Sequence, residues 1–143
     1  MGDFVVEFVS VIWVTLAYVA LYYVFMGNVA RVKMKVMRRC VESGERFERY
    51  IGNYPDLRAA DRIQLNMLEH MPPFLVLLWL QAVVVSPESA SVMGVVYVMI
   101  RALYPMFMGS QLKSNIPVRL MINTFASYGV LGAMGVWIVL GLV

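Results

Sequence analysis

Four stretches of this 143-residue chain are too long and too apolar to belong to an ordinary water-soluble domain. Residues 8–26 and 120–143 carry no charge, 70–87 hold His70 as their one titratable group, and 89–109 contain Arg101 as their one charge. A helix crosses the hydrocarbon core of a bilayer in about 20 residues, and each stretch approaches or exceeds that length. Composition agrees: 61% of residues are hydrophobic and 15% charged, against about 45–50% and 25% in soluble domains. The expected fold is all-α, an integral membrane bundle of four transmembrane helices forming one domain over 1–143. The spans fall at about 4–26, 62–85, 89–109 and 118–142, with loops at 27–61 and 110–117. The first span is not read as a signal peptide, because it lacks a basic leading segment and an evident cleavage site.

Charge placement gives an orientation. All twelve Lys and Arg lie within 31–62, at Arg101, or at Lys113 and Arg119. The N-terminus offers Asp3 and Glu7, and the link between the second and third spans has Glu88. The positive-inside bias then places loops 27–61 and 110–117 in the cytoplasm and both termini on the other side. The formal net charge of +3 expresses this asymmetry and is no nucleic-acid footprint. The segment RVKMKVMRR stands where a topology determinant or an anchor for anionic lipid would stand.

Local signals fill in the outline. ERFERY in the first loop is compatible with a short surface helix. Pro72-Pro73 should kink the second span or free a carbonyl near Glu69. In SPESAS, Ser86 or Ser89 can cap the third span, and Pro117 suits the first turn of the fourth. Gly129, Gly132 and Gly135, with Ala126 and Ala133, form a small-residue surface for close packing, inside the chain or between chains. Cys40 is the single cysteine, so no intrachain disulfide forms, and no Cys/His spacing suggests a metal. His70 reads as a capped interfacial residue at a helix entrance rather than a ligand.

The polar residues inside the spans are the informative ones. Arg62, Asn66 and Glu69 stand at i, i+4 and i+7, within roughly 60° of one another on a helix. Glu69 lies about 12 Å into the second span, and Arg101 about 12 Å from the matching end of the third, at 1.5 Å per residue. Opposite charges at equal depth on adjacent spans are expected to pair. Tyr104 is one turn from Arg101 on the same face. These five side chains define a polar pocket opening inward, which serves either as a clasp fixing helix register or as a ligand site.

Arg62-x-x-x-Asn66-x-x-Glu69 followed by proline, with Arg101-x-x-Tyr104 in the third span, resembles the MAPEG family, membrane-associated proteins in eicosanoid and glutathione metabolism. The resemblance covers about residues 58–143 in motif and span order, and the first span in general character. It implies a left-handed four-helix bundle assembled as a homotrimer. Glutathione would bind as co-substrate between subunits on the cytoplasmic side, with a lipophilic small molecule entering from the lipid bilayer. Arg62, Asn66, Glu69, Arg101 and Tyr104 would hold the tripeptide's carboxylates and amine. Arginine suits bidentate carboxylate contacts and Glu an ammonium. Arg119, in IPVRL, matches the arginine that the family places at the start of span four to stabilise the thiolate; Lys113 is the other candidate. Where the family commonly carries a tyrosine one turn beyond Arg101-x-x-Tyr104, this chain has Met108.

Three functions follow. The first is a glutathione-dependent transferase or peroxidase acting on lipophilic electrophiles or lipid hydroperoxides. The second is a MAPEG-fold binding or regulatory protein without catalysis. The third, a small transporter, fits least, because beyond Glu69 the second span offers only Gln81 as a continuation of the polar stripe.

Overall fold

The computed structural model describes residues 2–110 and 118–143, with side chains from residue 6 onward. Four helices account for most of them: α1 (Gly2–Glu42), α2 (Pro55–Val84), α3 (Pro87–Met108) and α4 (Val118–Leu142). All four are long and apolar enough to cross a membrane, which makes the chain a multi-pass integral membrane protein. At 22 residues α3 is cut to the hydrocarbon thickness. With 41 residues, α1 is about twice as long as a span requires.

Local chemistry sets the ends. Ser86 caps α3 by accepting from the Ser89 amide at 3.1 Å, and Pro87 occupies the first turn, where a missing N–H costs nothing. Gly109, at φ 77°, ends α3 while its amide donates to the Pro105 carbonyl. Pro117 and Lys113 lie outside the described residues. In α2 the helix runs through Pro72 and Pro73 without a break. These prolines have no N–H to offer the carbonyls of Leu68 and Glu69, one turn earlier.

Buried positions recur at steps of three and four. They are Ile63, Met67, His70, Phe74, Leu78 and Gln81 on α2, and Ala90, Gly94, Tyr97, Arg101, Tyr104 and Met108 on α3. On α4 they are Leu120, Asn123, Ser127, Leu131, Met134 and Ile138. Such spacing is that of helices packed nearly parallel to their neighbours. α2 and α3 touch each other and both remaining helices, whereas α1 and α4 do not meet. The cross-section is therefore a rhombus with α2 and α3 on its short diagonal. Gly94 makes the close approach possible: a Cβ there would stand 2.7 Å from Val14 Cγ1 and 2.8 Å from Leu78 Cδ1. By contrast, a Cβ added at Gly129, Gly132 or Gly135 would meet nothing within 4 Å among the described residues. Those three glycines are not needed for packing against the described residues.

At mid-bundle Tyr18, Phe74 and Tyr97 pack ring against ring, with centroids 4.7 Å and 4.3 Å apart along the series. The two tyrosine hydroxyls are satisfied where water is excluded. Tyr18 donates to the Met67 carbonyl at 2.8 Å, and the Tyr97 hydroxyl lies 2.8 Å from His70 Nδ1. His70 is thus a buried core residue, not a capped one at a helix entrance.

The segment expected as a loop over 27–61 is helical at both ends, leaving 43–54 as the connection. ERFERY is not a helix there; it runs irregularly into a turn. Val36, Cys40 and Leu57 form a second small core, joined by Phe47 and Tyr54. Arg39 pairs with Asp56, and Arg49 with Asp61 at 3.0 Å. The basic end of the bundle therefore carries a small folded cap.

Candidate functional site

α3 contributes the centre of the site. Arg101 is 1% exposed and Tyr104 3%, one turn apart on the face turned into the bundle. Arg101 Nη2 donates to Asn66 Oδ1 on α2, and its guanidinium carbon lies 5.0 Å from the centre of the Tyr104 ring. Nε and Nη1 are buried and have no hydrogen-bond partner among the described residues. A guanidinium presents five N–H donors, and a charge at this depth in a span is costly. One amide and one aromatic face leave it short of acceptors.

Glu69 does not pair with Arg101. It is exposed, as is Arg62, while Asn66 is half-buried. Helix geometry is the reason. The inward face of α2 is centred on Ile63, Met67 and His70; at 100° per residue Asn66 lies about 65° from that direction and Glu69 about 125°. Within one chain, then, Asn66, Arg101 and Tyr104 come together, while Arg62 and Glu69 stand on the outer flank. Arg119 is also exposed, in the first turn of α4.

Sequence reading missed two features. Asn123, one turn beyond Arg119, donates from Nδ2 to the Ile100 carbonyl at 2.7 Å, which locks α4 to α3 at the level of Arg101. The signal was available, since an amide in an apolar span needs a partner. The other missed feature is a groove at the basic end of α1, whose lining does not include Arg101, Asn66 or Tyr104. Asn28 accepts from Arg31 at 2.9 Å, and both line this groove of about 400 Å³ with Val24, Phe25, Ile63 and Pro105. A polar pair spaced i, i+3 at the close of an apolar run was the available hint.

A bundle of four membrane-spanning helices with an arginine buried near its basic end defines the class, a small multi-pass membrane protein with a charged interior. More particularly, the chain belongs to the MAPEG family, whose model matches residues 11–140. It is also 36% identical over 86 residues to an uncharacterized protein of Synechocystis sp.. That stretch is 59% of this chain and 56% of the relative, so the match spans little more than half of either protein.

Proposed function

We propose that this protein is a membrane-bound glutathione-dependent transferase or peroxidase acting on lipophilic electrophiles or lipid hydroperoxides. The observation that carries the reading is Arg101, buried with two donor nitrogens unpartnered among the described residues. A peptide carboxylate supplies the missing acceptors, and a charge-assisted bond of that kind is among the stronger ones available. Asn66 and Tyr104 flank the guanidinium. The outward-facing Arg62 and Glu69 complete the site against a neighbouring subunit, Glu69 taking the peptide ammonium, which accords with a homotrimer. The basic end faces the cytoplasm, where glutathione is dissolved, and both termini lie opposite.

In transfer, the ionised sulfur attacks the electrophilic carbon and the leaving group departs with the bonding electrons. With a hydroperoxide, two glutathiones become the disulfide as the peroxide is reduced to alcohol and water. Arg119 stabilises the thiolate in either reaction. A second reading, a binding or regulatory protein without catalysis, is favoured by Met108 at the position where the family commonly has tyrosine.

Binding of glutathione to detergent-solubilised protein, followed by thermal shift and calorimetry, tests the first step. Turnover of a lipophilic electrophile then separates the two readings. Mass measurement corrected for bound detergent should return three chains, and a stable monomer that binds glutathione would remove the intersubunit site.

A further inference from the structure

The connection between α1 and α2 returns toward the bilayer after α1 has climbed away from it. From Arg31 to Arg39 the helix rises about 12 Å at 1.5 Å per residue, so the basic run is a strut and not a segment lying on the surface. On α2, about 20 residues cross the hydrocarbon, which counted back from Val84 puts the boundary near Leu65. Asp61 stands about 6 Å beyond it, within a headgroup layer roughly 5–7 Å deep. Arg49 reaches that level, bonding Asp61 at 3.0 Å.

Beside Arg49 are Tyr50, 91% exposed, and Ile51, 78% exposed. The turn closes directly behind them, with the Gly52 amide donating to the Glu48 carbonyl at 2.9 Å. The aromatic residues on either side behave differently: Phe47 and Tyr54 stack on each other and pack into the small core of Val36, Cys40 and Leu57. The cap thus has an apolar interior and leaves its Tyr-Ile tip outside it.

We propose that the Tyr50–Ile51 tip is a membrane-surface anchor, inserted in the interfacial layer of the bilayer that the same chain spans. Tyrosine favours this layer, with its ring toward the acyl chains and its hydroxyl among the headgroups. Isoleucine adds apolar area, and the Arg49–Asp61 pair holds the tip at the right height. The charges near the tip balance. Asp56 and Asp61 are paired with Arg39 and Arg49, and the exposed Glu45 and Glu48 offset the exposed Arg46 and Arg58. The anchor is therefore apolar in character and indifferent to anionic lipid. Since Asp61 adjoins Arg62, the anchor also steadies the first turn of the polar stripe. Glutathione binding plays no part in this inference.

The test uses the full chain in phosphatidylcholine vesicles, with Cys40→Ala and Ile51→Cys carrying an environment-sensitive fluorophore. A headgroup-level nitroxide lipid should quench the label several-fold more strongly than aqueous iodide, and adding phosphatidylserine should leave the ratio unchanged. Tyr50→Cys provides a second reporter, and Arg46→Cys a control that iodide should quench. Dominant iodide quenching at both tip positions would overturn the proposal, because the tip would then lie in water. Shielding from both quenchers would overturn it too, since a neighbouring copy would then cover the tip.

Discussion

Arg101 donates to Asn66 from one guanidinium nitrogen and keeps two others, Nε and Nη1, buried without partners among the described residues. The bundle thus retains a cation that its own side chains satisfy only in part. Replacing it with a flexible apolar residue removes a desolvation cost, and such exchanges are often neutral or stabilising. Arg101→Met should therefore leave the thermal stability of the solubilised protein unchanged or raised, while abolishing glutathione binding. Asn66→Ala should do the opposite to stability, costing about 1.5–3 kcal/mol, because it takes the acceptor from a charged donor. In the double variant most of that cost should vanish. Denaturation midpoints of the three proteins give the answer, and equal losses for both single variants would contradict it.

Glu69 gives a contrasting case. Its exposure in the chain predicts that Glu69→Gln changes stability by no more than about 0.5 kcal/mol. If the carboxylate receives the peptide ammonium, affinity for glutathione should fall about ten- to a hundredfold, the equivalent of one charged hydrogen bond. Calorimetric titration measures this directly. A variant that unfolds would instead show Glu69 buried in the assembled protein as a structural ion.

The contrast between these two residues shows how far the sequence could be read. Four apolar runs and the depth of the ionisable groups were enough to give the bundle and to place Arg101 in its interior. Equal depth, however, is not equal direction. Asn66 and Glu69 stand one turn apart, and which of them meets Arg101 depends on how α2 is rotated about its axis. That rotation is set by packing at Met67, His70 and Phe74, which composition does not reveal. Likewise, charge density in 31–49 suggested a loop, although Val36, Cys40 and Leu57 give α1 a reason to stay helical beyond the membrane. Asn123 shows the same division: an amide in an apolar span announces that it needs a partner, but the Ile100 carbonyl it finds leaves no mark in the sequence.

The glycines separate intrachain from external packing. Gly94→Ala would place a methyl carbon 2.7 Å from Val14 Cγ1, and overpacking of this kind costs about 1–3 kcal/mol. Gly132→Ala meets nothing within 4 Å among the described residues, so the monomeric fold should tolerate it. If the α4 surface forms a subunit contact, Gly132→Ala should weaken the oligomer without disturbing helix content. Circular dichroism paired with mass measurement distinguishes the two effects.

Arg119 is where transferase and binding protein part. Its exposed guanidinium has no hydrogen-bond or ion-pair partner among the described residues, and Asn123 one turn later fixes the height of α4 against Ile100. A cation beside a bound thiol favours the ionised form, so it lowers the pKa from the free value of about 8.5. Thiolate then appears as pH rises through that lower value, and it should be present near neutrality when glutathione is bound. Ultraviolet difference spectra across a pH series would record it. Arg119→Ala should return the ionisation toward the free value while sparing much of the binding, because the proposed carboxylate and amine contacts come from α2 and α3. Turnover should fall about 10²–10³-fold, as for loss of one preorganised electrostatic stabiliser. Should glutathione bind to the unmodified protein with no thiolate near neutral pH, the catalytic reading gives way to the regulatory one. If Arg119→Ala instead abolishes binding altogether, Arg119 holds the peptide and the activating cation lies elsewhere. Lys113→Ala, examined by the same spectra, would then identify it.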